Sequence, residues 1–546
     1  MDSILHQDWY RVDSLTSIDT FKLRLPLLPE GLFMPSLTLC CIVLVPLFTW
    51  IWSTIKFRAA SRKSKTPPTI PYIFPVLGHT LSVAWDPVGF ATNAILNYGW
   101  TSPLRMKAGL ECFTVLGNPE HVNKVFRSSK QLASKPGAVF AAKYLLGTPS
   151  ECIPFYEADD SGMAATPCKW STVKQEDRIH YHQHHSAQKY MAAQHLSHLS
   201  ERFLTTLSRN LEIFTSSEAD SKGWIEVPDL YSFLQRHVGA ASIETMMGSE
   251  ILRLHPTLLD NYAMFERSVP KFTRCLPRWL LPQEYKNRDR LLEAIKRWHT
   301  HSHAHSDCES LAPGDPEWDP YFGSKVIKSR QKYTAKMKAM TPDACASEDL
   351  GLMFAMNSNS VPSIFWFVFE ALKDVELRLR LEAEVASCLC SGPVKFDIPK
   401  LSSQPLLQSA FAETLRLRVA TGVVRVSEHE PFKLAGYEIE QNHRLLVFTR
   451  PLALNSEAWV RAGRPPTRPL EQFQAERFLV LKTKSCDGLA GCWFPFGGGQ
   501  RMCPGRHFAK QQIISAFALL FNDFDIEYEV DCRRGVAAGM QSTSSN

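Results

Sequence analysis

The most informative segment of the chain is Phe494-Pro495-Phe496-Gly497-Gly498-Gly499-Gln500-Arg501-Met502-Cys503-Pro504-Gly505, which is followed directly by a helix-compatible segment over about residues 506–520. A thiolate beside a helix N-terminus is stabilised by the helix dipole and by backbone N–H groups. Glycines lack a Cβ and therefore let backbone amides approach a sulfur or a flat ligand closely. The segment predicts that Cys503 binds a metal as an axial ligand, while Arg501 reaches a carboxylate of the cofactor.

The same segment resembles the haem-binding loop of the cytochrome P450 family, Phe-x-x-Gly-x-Arg-x-Cys-x-Gly. Its five fixed positions are filled by Phe496, Gly499, Arg501, Cys503 and Gly505. The resemblance implies that Cys503 is the axial thiolate of haem b (iron protoporphyrin IX), that Arg501 holds a propionate, and that Phe496 packs near the sulfur. A buried structural cysteine and a phosphate loop are the alternatives, although the Gly-Lys-Ser/Thr of a Walker-type loop is absent.

Composition and charge narrow the class of protein. The chain has 546 residues, of which 45% are hydrophobic, and this is enough for a large core. The net charge of +6 includes no strongly basic block, so the sequence does not indicate nucleic-acid binding. The 14 cysteines lack the spacing of a disulfide framework and are typical of a reducing compartment.

Residues 31–55 carry no charged side chain and, at about 1.5 Å per residue, are long enough to span a hydrocarbon core of about 30 Å. Trp50 and Trp52 suit a membrane interface, and basic residues follow from Lys56 onward. A cleaved signal peptide is disfavoured because the apolar run begins far from Met1. The pattern predicts four parts: a lumenal tail over 1–30, a transmembrane anchor over 31–55, a basic and proline-rich hinge over 56–80, and a cytoplasmic catalytic domain over 81–546.

Two groups of histidines are candidate metal ligands. His180 and His184 are spaced i,i+4 on a helix predicted over residues 177–203, but no acidic or cysteine partner has suitable spacing, so we favour a solvated or core helix. Alternating histidines from His299 to His305 are followed by proline and glycine, which favours a surface loop. On the first helix the family usually has a tryptophan and an arginine for a haem propionate, and here Arg178 is the candidate.

A long helix is predicted from near Ser347 to about Leu372, where polar residues and Pro362 interrupt an apolar sequence. A buried break of this kind is costly unless it is hydrogen-bonded or functional. The helix resembles the distal helix of the family, which crosses above the haem and usually carries an acid followed by threonine. Asn359 and Ser360 stand there instead and are the predicted catalytic residues. Serine can replace the threonine hydroxyl, but asparagine cannot relay a proton as a carboxylate does, which leaves open whether the enzyme activates oxygen or rearranges a peroxide.

A predicted helix over residues 406–417 carries Glu413 and Arg416 on one side, at spacing i,i+3. Arg477 lies in a segment similar to the Pro-Glu-Arg-Phe of the family, and the resemblance implies that these three residues form a buried structural support beneath the haem. Strands are predicted around residues 423–426 and 432–439. Arg425, on the first of them, matches a family arginine that often reaches a haem propionate; an ordinary surface arginine is the alternative.

The resemblance extends over residues 66–530 and implies a cytochrome P450 fold, mainly α-helical with small β-sheets, behind one N-terminal transmembrane helix. The implied reaction inserts one oxygen atom from dioxygen into a lipophilic terpenoid, steroid or polyketide, as in fungal secondary metabolism. The implied partners are the endoplasmic reticulum membrane and NADPH–cytochrome P450 reductase, which would dock on Arg506, His507 and Lys510. The alternatives are a haem-thiolate isomerase or dehydratase that needs no reductase, and a non-catalytic haem protein.

Overall fold

The computed structural model describes residues 33–220, 223–392, 394–479, 488–531 and 535–542, and the predicted tail over 1–30 lies outside them. The described chain is mainly helical with small sheets, as the sequence predicts. The helices are α1 (Phe33–Lys63), α2 (Thr80–Trp85), α3 (Pro87–Tyr98), α4 (Pro119–Arg127), α5 (Lys135–Phe140), α6 (Ile153–Ala158), α7 (Ile179–Tyr190), α8 (Ala193–Glu218), α9 (Leu230–Met247), α10 (Glu250–Leu254), α11 (Leu258–Phe272), α12 (Pro282–His305), α13 (Lys325–Thr334), α14 (Pro342–Lys373), α15 (Val375–Ala386), α16 (Ile398–Ser403), α17 (Pro405–Arg418), α18 (Thr449–Ala453), α19 (Ser456–Arg461) and α20 (Arg506–Asp523).

The strands form small sheets at the edges of the helical body. They are β1 (Leu104–Ala108), β2 (Glu111–Leu116), β3 (Leu132–Ala133), β4 (Trp224–Val227), β5 (Trp318–Asp319), β6 (Gly323–Ser324), β7 (Gly422–Ser427), β8 (Phe432–Leu434), β9 (Tyr437–Ile439), β10 (Arg444–Phe448), β11 (Phe524–Asp531) and β12 (Gly535–Ser542). The largest sheet has the order β1-β2-β10-β7-β3, and its β2–β10 pair is parallel while its other pairs are antiparallel. This sheet presents β7, the strand that carries Arg425, beside the active-site cavity.

The main hydrophobic core surrounds helix α14. It packs against α9, α12 and the apolar helix α20, where the rings of Phe367 and Phe517 stack with centroids 4.5 Å apart. Burying one such side chain stabilises the fold by roughly 1.5–3 kcal/mol. Helix α20 begins three residues after Cys503, so the same packing fixes the loop that precedes it.

Helix α14 begins earlier than the sequence predicts, at Pro342 instead of near Ser347. The hydroxyl of Thr341 caps it by accepting a hydrogen bond from the backbone N–H of Ala344 at 3.2 Å. Glu348 and Asp349, which follow the predicted start, are buried within the helix. The Nε of Arg330 donates to Asp349 at 2.8 Å, and its Nη2 lies 3.2 Å from Glu348. They serve an internal ion-pair network, which the pattern of the helix alone could not reveal.

The prediction of a surface loop at His299–His305 is wrong, because these residues form the last turns of helix α12. The Nε2 atom of His299 lies 2.8 Å from Asp349, and His299 is buried. His301 and His303 have their own partners, Glu250 and Gln331, each at 3.1 Å. The proline and glycine that suggested a loop lie beyond the end of the helix and do not interrupt it.

The helix predicted over residues 177–203 is divided in two. Helix α7 ends at Tyr190, and α8 begins at Ala193, whose φ of 49° marks the break between them. His180 is buried, and no group of histidine, cysteine and acidic residues in the described ranges could hold a metal ion.

Helix α1 continues through the predicted anchor to Lys63, so Lys56 lies within it. Its side chains are described over residues 43–60, and nine large apolar ones among them are exposed: Val43, Leu44, Val45, Leu47, Phe48, Trp50, Ile51, Trp52 and Ile55. In a search by length and composition that was confined to the described residues, and so included only this part of α1, α14 alone was long and apolar enough to cross a membrane, and 56% of its apolar window is buried inside the protein. After α1 the proline-rich segment lies along β1, where the N–H of Ile70 donates to the carbonyl of Arg105 at 2.9 Å.

Candidate active site

The loop from Phe494 to Gly505 folds back on itself before helix α20. The N–H of Cys503 donates to the carbonyl of Phe496 at 2.9 Å, which brings the two ends of the predicted motif together. Gly499 has a φ of 73°, and a Cβ there would lie 2.4 Å from the carbonyl oxygen of Phe126. At Gly505 a Cβ would contact Met191 and approach the Cys503 sulfur to 3.9 Å. Both glycines therefore shape the loop around Cys503 without lining the cavity.

Cys503 opens onto a cavity of about 510 Å³ between this loop, strand β7 and helix α14. Six residues predicted from the sequence converge on it: Asn359, Ser360, Arg425, Phe496, Arg501 and Cys503. Further lining residues were not predicted, among them Ser134, Gly137, Ala138, Ala355, Thr421 and Val423. Small or apolar residues at these places carry no chemical signature, so a single sequence offered no means of finding them.

Two opposing effects act on the thiol of Cys503. Burial raises its pKa above the ordinary range, while the N–H groups of Gly505 and Arg506 and the Arg506 charge act in the opposite direction. The helix start alone therefore does not generate a thiolate here. Coordination to a metal would do so directly, since a coordinating thiol is deprotonated by the metal charge.

Two arginines approach the cavity from different elements, Arg425 from β7 and Arg501 from the loop. Burial lowers the pKa of Arg501 to about 10, and burial together with the charge of Arg501 lowers the pKa of Arg425 to about 10. Within the described ranges, neither guanidinium has a carboxylate at ion-pair distance; Arg425 donates to the carbonyls of Val424 at 2.9 Å and Gly498 at 3.2 Å. Two buried cations facing one cavity suit a cofactor that carries carboxylates, such as the propionates of haem.

Asn359 and Ser360, on helix α14, line the same cavity as Cys503. The helix is continuous through Pro362, and its polar residues bond to their own backbone. Ser363 Oγ donates to the carbonyl of Asn359 at 2.6 Å, and Asn357 Nδ2 donates to that of Met353 at 2.9 Å. Ser360 is buried among protein atoms but lines the cavity, as Asn359 does, whereas Oδ1 of Asn357 is buried and has no hydrogen-bond partner among the described residues.

A buried ionic cluster lies behind the loop. The carboxylate of Glu413 accepts hydrogen bonds from Arg416 Nε at 2.6 Å and Nη2 at 2.8 Å, from Arg477 Nε at 3.0 Å, and from the N–H of Gln474 at 3.0 Å. Both Glu413 and Arg416 have no exposed side-chain surface. The three residues named from the sequence are thus in contact, and they join helix α17 to the segment that leads toward the cysteine loop.

Arg178, the sequence candidate for a propionate, is occupied elsewhere. It is fully buried and donates to the hydroxyl of Ser161 at 3.0 Å and to the carbonyls of Ala164 and Ala165 at 2.6 and 2.8 Å. It orders the loop before helix α7 and does not line either of the large cavities around Arg501.

Comparison with known proteins gives the same picture as the geometry. The profile of the family described as "Cytochrome P450" matches residues 229–536. The chain is 31% identical to cytochrome P450 monooxygenase fsoE of Humicola fuscoatra over 90% of its own length and 88% of that protein. It is 30% identical to cytochrome P450 monooxygenase efuG of Hormonema carpetanum, with 90% of each chain covered, and 27% identical to cytochrome P450 monooxygenase calL of Penicillium decumbens, with 86% and 87% covered. From its cysteine loop and its similarity to these fungal monooxygenases along most of its length, the chain belongs to the cytochrome P450 family.

Proposed function

We propose that the protein is a haem-thiolate monooxygenase that hydroxylates or otherwise oxidises a lipophilic small molecule. The observation that carries the proposal is that one cavity of about 510 Å³ is lined by Cys503, by two arginines without a carboxylate partner among the described residues, and by polar residues of helix α14. The arginines are Arg425 and Arg501, and the polar residues are Asn359 and Ser360. Cys503 would hold the iron of haem b, and Arg501 and Arg425 would hold its propionates. When bound, the haem-thiolate group supplies the activation of dioxygen, because the thiolate favours O–O cleavage.

On the side opposite Cys503, Asn359 and Ser360 would handle water and protons. The Ser360 hydroxyl can accept a proton and donate one through the same oxygen, so it is suited to pass a proton toward the cavity. The Asn359 amide has donors and an acceptor but no titratable proton, so it would orient a water or a substrate oxygen. The backbone carbonyl of Asn359 accepts a hydrogen bond from the Ser363 hydroxyl, which supports a fixed backbone at this position.

The Glu413–Arg416–Arg477 cluster has a structural role in this proposal. Buried charges of this kind need complete pairing, which the four hydrogen bonds to Glu413 provide. By tying helix α17 to the chain before the cysteine loop, the cluster would keep the loop in position for the cofactor.

The cavity walls favour an apolar substrate. Val419, Val423, Leu415 and Ile513 contribute to them, together with a few small polar residues such as Ser134 and Thr421. Such a site suits a terpenoid, steroid or polyketide skeleton, in which few polar groups fix the orientation. A role in fungal secondary metabolism accords with the fungal relatives.

Electrons would come from NADPH–cytochrome P450 reductase. Arg506, His507 and Lys510 lie on the first turns of helix α20, next to Cys503, and Arg506 donates to the carbonyl of Cys503 at 3.1 Å. A basic surface so close to the metal ligand suits an acidic partner that delivers electrons.

The catalytic domain over 81–546 would lie on the cytoplasmic face of the endoplasmic reticulum, held there by helix α1 as a single membrane anchor over 31–55, with the hinge over 56–80 between them. The exposed apolar side chains of α1 support this arrangement. The Lys56 ammonium lies 5.0 Å from the centre of the Trp52 ring, a pairing that suits the membrane interface. The tail over 1–30 would then be lumenal.

The test begins with metabolites that accumulate when the gene is deleted. These are supplied to the full chain in microsomes with reductase, and consumption of NADPH and dioxygen is measured together with incorporation of labelled oxygen. Substrate-dependent consumption with one labelled atom in the product is the expected result. Turnover of a peroxide without reductase would instead identify an isomerase or dehydratase, and reversible binding with no turnover would identify a haem carrier or sensor.

A further inference from the structure

A second cavity of about 500 Å³ adjoins the active-site cavity. One of its walls is made by residues 159–170, which belong to the segment between helices α6 and α7. The facing wall is made by residues 129–135 together with residues 428–429, just after strand β7. Three residues line both cavities: Ser134, Arg425 and Arg501. A cavity of this volume is large enough for a lipophilic small molecule.

Apolar side chains contribute to both walls of the second cavity. They are Leu132, Ala133, Met163, Ala164, Pro167 and Trp170. Two of its charged groups are occupied within the protein, because Lys135 pairs with Glu428 at 3.0 Å and Asp159 accepts a hydrogen bond from the Ser161 hydroxyl at 2.6 Å. The second cavity therefore offers apolar surface to a ligand, as the active-site cavity does.

The two cavities meet beside Ser134, which directly precedes helix α5. Gly137 and Ala138 follow on the side of the active site. A Cβ at Gly137 would meet no heavy atom within 4 Å, so there is open space beside this residue. The two shared arginines lie on other elements, strand β7 and the cysteine loop. Small side chains therefore border the junction on the α5 side.

The base of the wall over residues 159–170 is firmly held. Arg178 is fully buried and donates to the carbonyls of Gly162, Ala164 and Ala165 at 3.3, 2.6 and 2.8 Å. The N–H of Cys168 donates to the carbonyl of Ser161 at 2.9 Å, within the same segment. These bonds fix residues 161–165 from below, but none of them joins the segment to the facing wall.

The tip of the segment touches the facing wall through two rings. The centroids of Trp170 and His429 lie 4.6 Å apart. Among the described residues, this is the one hydrogen bond, ion pair or ring contact that joins residues 160–171 to residues 129–135 or 428–429. Trp170 is 51% exposed and His429 is also exposed, so the contact lies where the cavity meets solvent.

We propose that the second cavity is a vestibule through which the lipophilic substrate passes Ser134 to the active site, and that the contact of Trp170 with His429 closes its mouth. The inference rests on the proposed haem-thiolate function and adds the route of the substrate to it. The mouth opens when the tip over residues 166–171 moves away from His429 while Arg178 holds the base in place.

This arrangement has a kinetic signature. Neither Trp170 nor His429 lines the active-site cavity, so neither ring contacts a molecule bound there. Loss of either ring should therefore make passage faster in both directions and leave the affinity of the active site unchanged. A residue that binds the ligand would instead change the affinity.

The test uses the full chain, loaded with haem in detergent micelles, and 4-phenylimidazole as the probe. This lipophilic base binds haem iron and shifts the Soret band, so stopped-flow absorbance gives its association and dissociation rates and, from their ratio, its Kd. Trp170→Ala and His429→Ala each remove the contact. Trp85→Ala is the matched control, because Trp85 is 82% exposed and lines neither cavity.

Trp170→Ala should raise the association and dissociation rates together by about 2- to 10-fold, the effect of losing one aromatic contact, with Kd unchanged. His429→Ala should do the same, and the double variant should be no faster than either single variant, because all three lack the same contact. In Trp85→Ala both rates should match the wild type. Unchanged rates in Trp170→Ala and His429→Ala, or a change in Kd without a change in the association rate, would overturn the proposal.

If Trp170→Ala does not fold, His429→Ala decides the matter, since His429 is exposed and its replacement leaves the core intact. Failure of the underlying function looks different, because the wild type would then show neither the spectrum of thiolate haem nor a Soret shift with the probe. A wild type that shows both, with unchanged rates in His429→Ala, would reject the vestibule alone.

Discussion

Replacing Glu413 by glutamine tests the buried cluster behind the cysteine loop. The substitution keeps the shape of the side chain but leaves the Arg416 guanidinium, which has no exposed surface, and the nearly buried Arg477 without a carboxylate. Glutamine retains one oxygen and so loses about two of the charge-assisted hydrogen bonds, each contributing roughly 1.5–3 kcal/mol. Removing one partner of a buried ion pair typically costs about 3–5 kcal/mol, so we expect a loss of this size in the free energy of unfolding.

Urea unfolding followed by circular dichroism measures this loss. Thermal unfolding should show a fall in Tm of about 3–4 °C, given an unfolding entropy of roughly 2.1 cal/mol/K per residue. The matched control is Glu111→Gln, which breaks an exposed ion pair with Arg444 of similar length, 2.7 Å, with 67% and 47% of the side chains exposed. That variant should lose less than about 1 kcal/mol. A Glu413→Gln protein whose stability matches that of Glu111→Gln would refute the reasoning.

Three further predictions concern other parts of the molecule. Ser360→Ala should lower the product formed per NADPH by about tenfold or more, because it removes the hydroxyl suited to proton transfer. Ser358→Ala, at a serine of the same helix that does not line the cavity, should leave the yield near that of the wild type. Burial opposes ionisation of Asp349, but Arg330 and His299 lower its pKa below the ordinary value. The ionised Asp349 therefore contributes stability above about pH 4, and this contribution is lost as pH falls through the folded-state pKa. Urea unfolding should find Asp349→Asn less stable than the wild type at pH 7, with a smaller difference at pH 3. A difference that does not change with pH would contradict the ion-pair account. Deletion of residues 1–55 should move the protein from the membrane pellet to the supernatant on fractionation, whereas deletion of 1–30 alone should leave it in the pellet.

The local motifs could be predicted from the sequence because each carries its chemistry within a few residues. The loop around Cys503 has its glycines, arginine and cysteine in one turn, and Glu413 and Arg416 share one helix face. Their convergence with Asn359 and Ser360 on one cavity followed from the family resemblance, since nothing local links the two segments.

The sequence was uninformative where long-range packing decides the outcome. His299 belongs to a helix whose end is buried against Asp349, fifty positions away, so the alternation of histidines said nothing about its environment. His180 likewise depends on Tyr156 and Arg501, which approach from separate segments. Helix α14 starts at Pro342, five positions before the predicted Ser347, and the acids just after Ser347 are paired with Arg330 from a separate helix, which the local sequence does not show.

The central claim is that Cys503 is the thiolate ligand of a haem, and the spectrum of the reduced protein with carbon monoxide tests it most directly. Cys503→Ala should be compared with Cys492→Ala, a control cysteine eleven positions earlier that is buried against the carbonyl of Leu452 and does not line the cavity. The account predicts the red-shifted Soret band of thiolate haem in the wild type and in Cys492→Ala, and its loss in Cys503→Ala. A wild type without that band, or a Cys503→Ala protein that keeps it, would contradict the account.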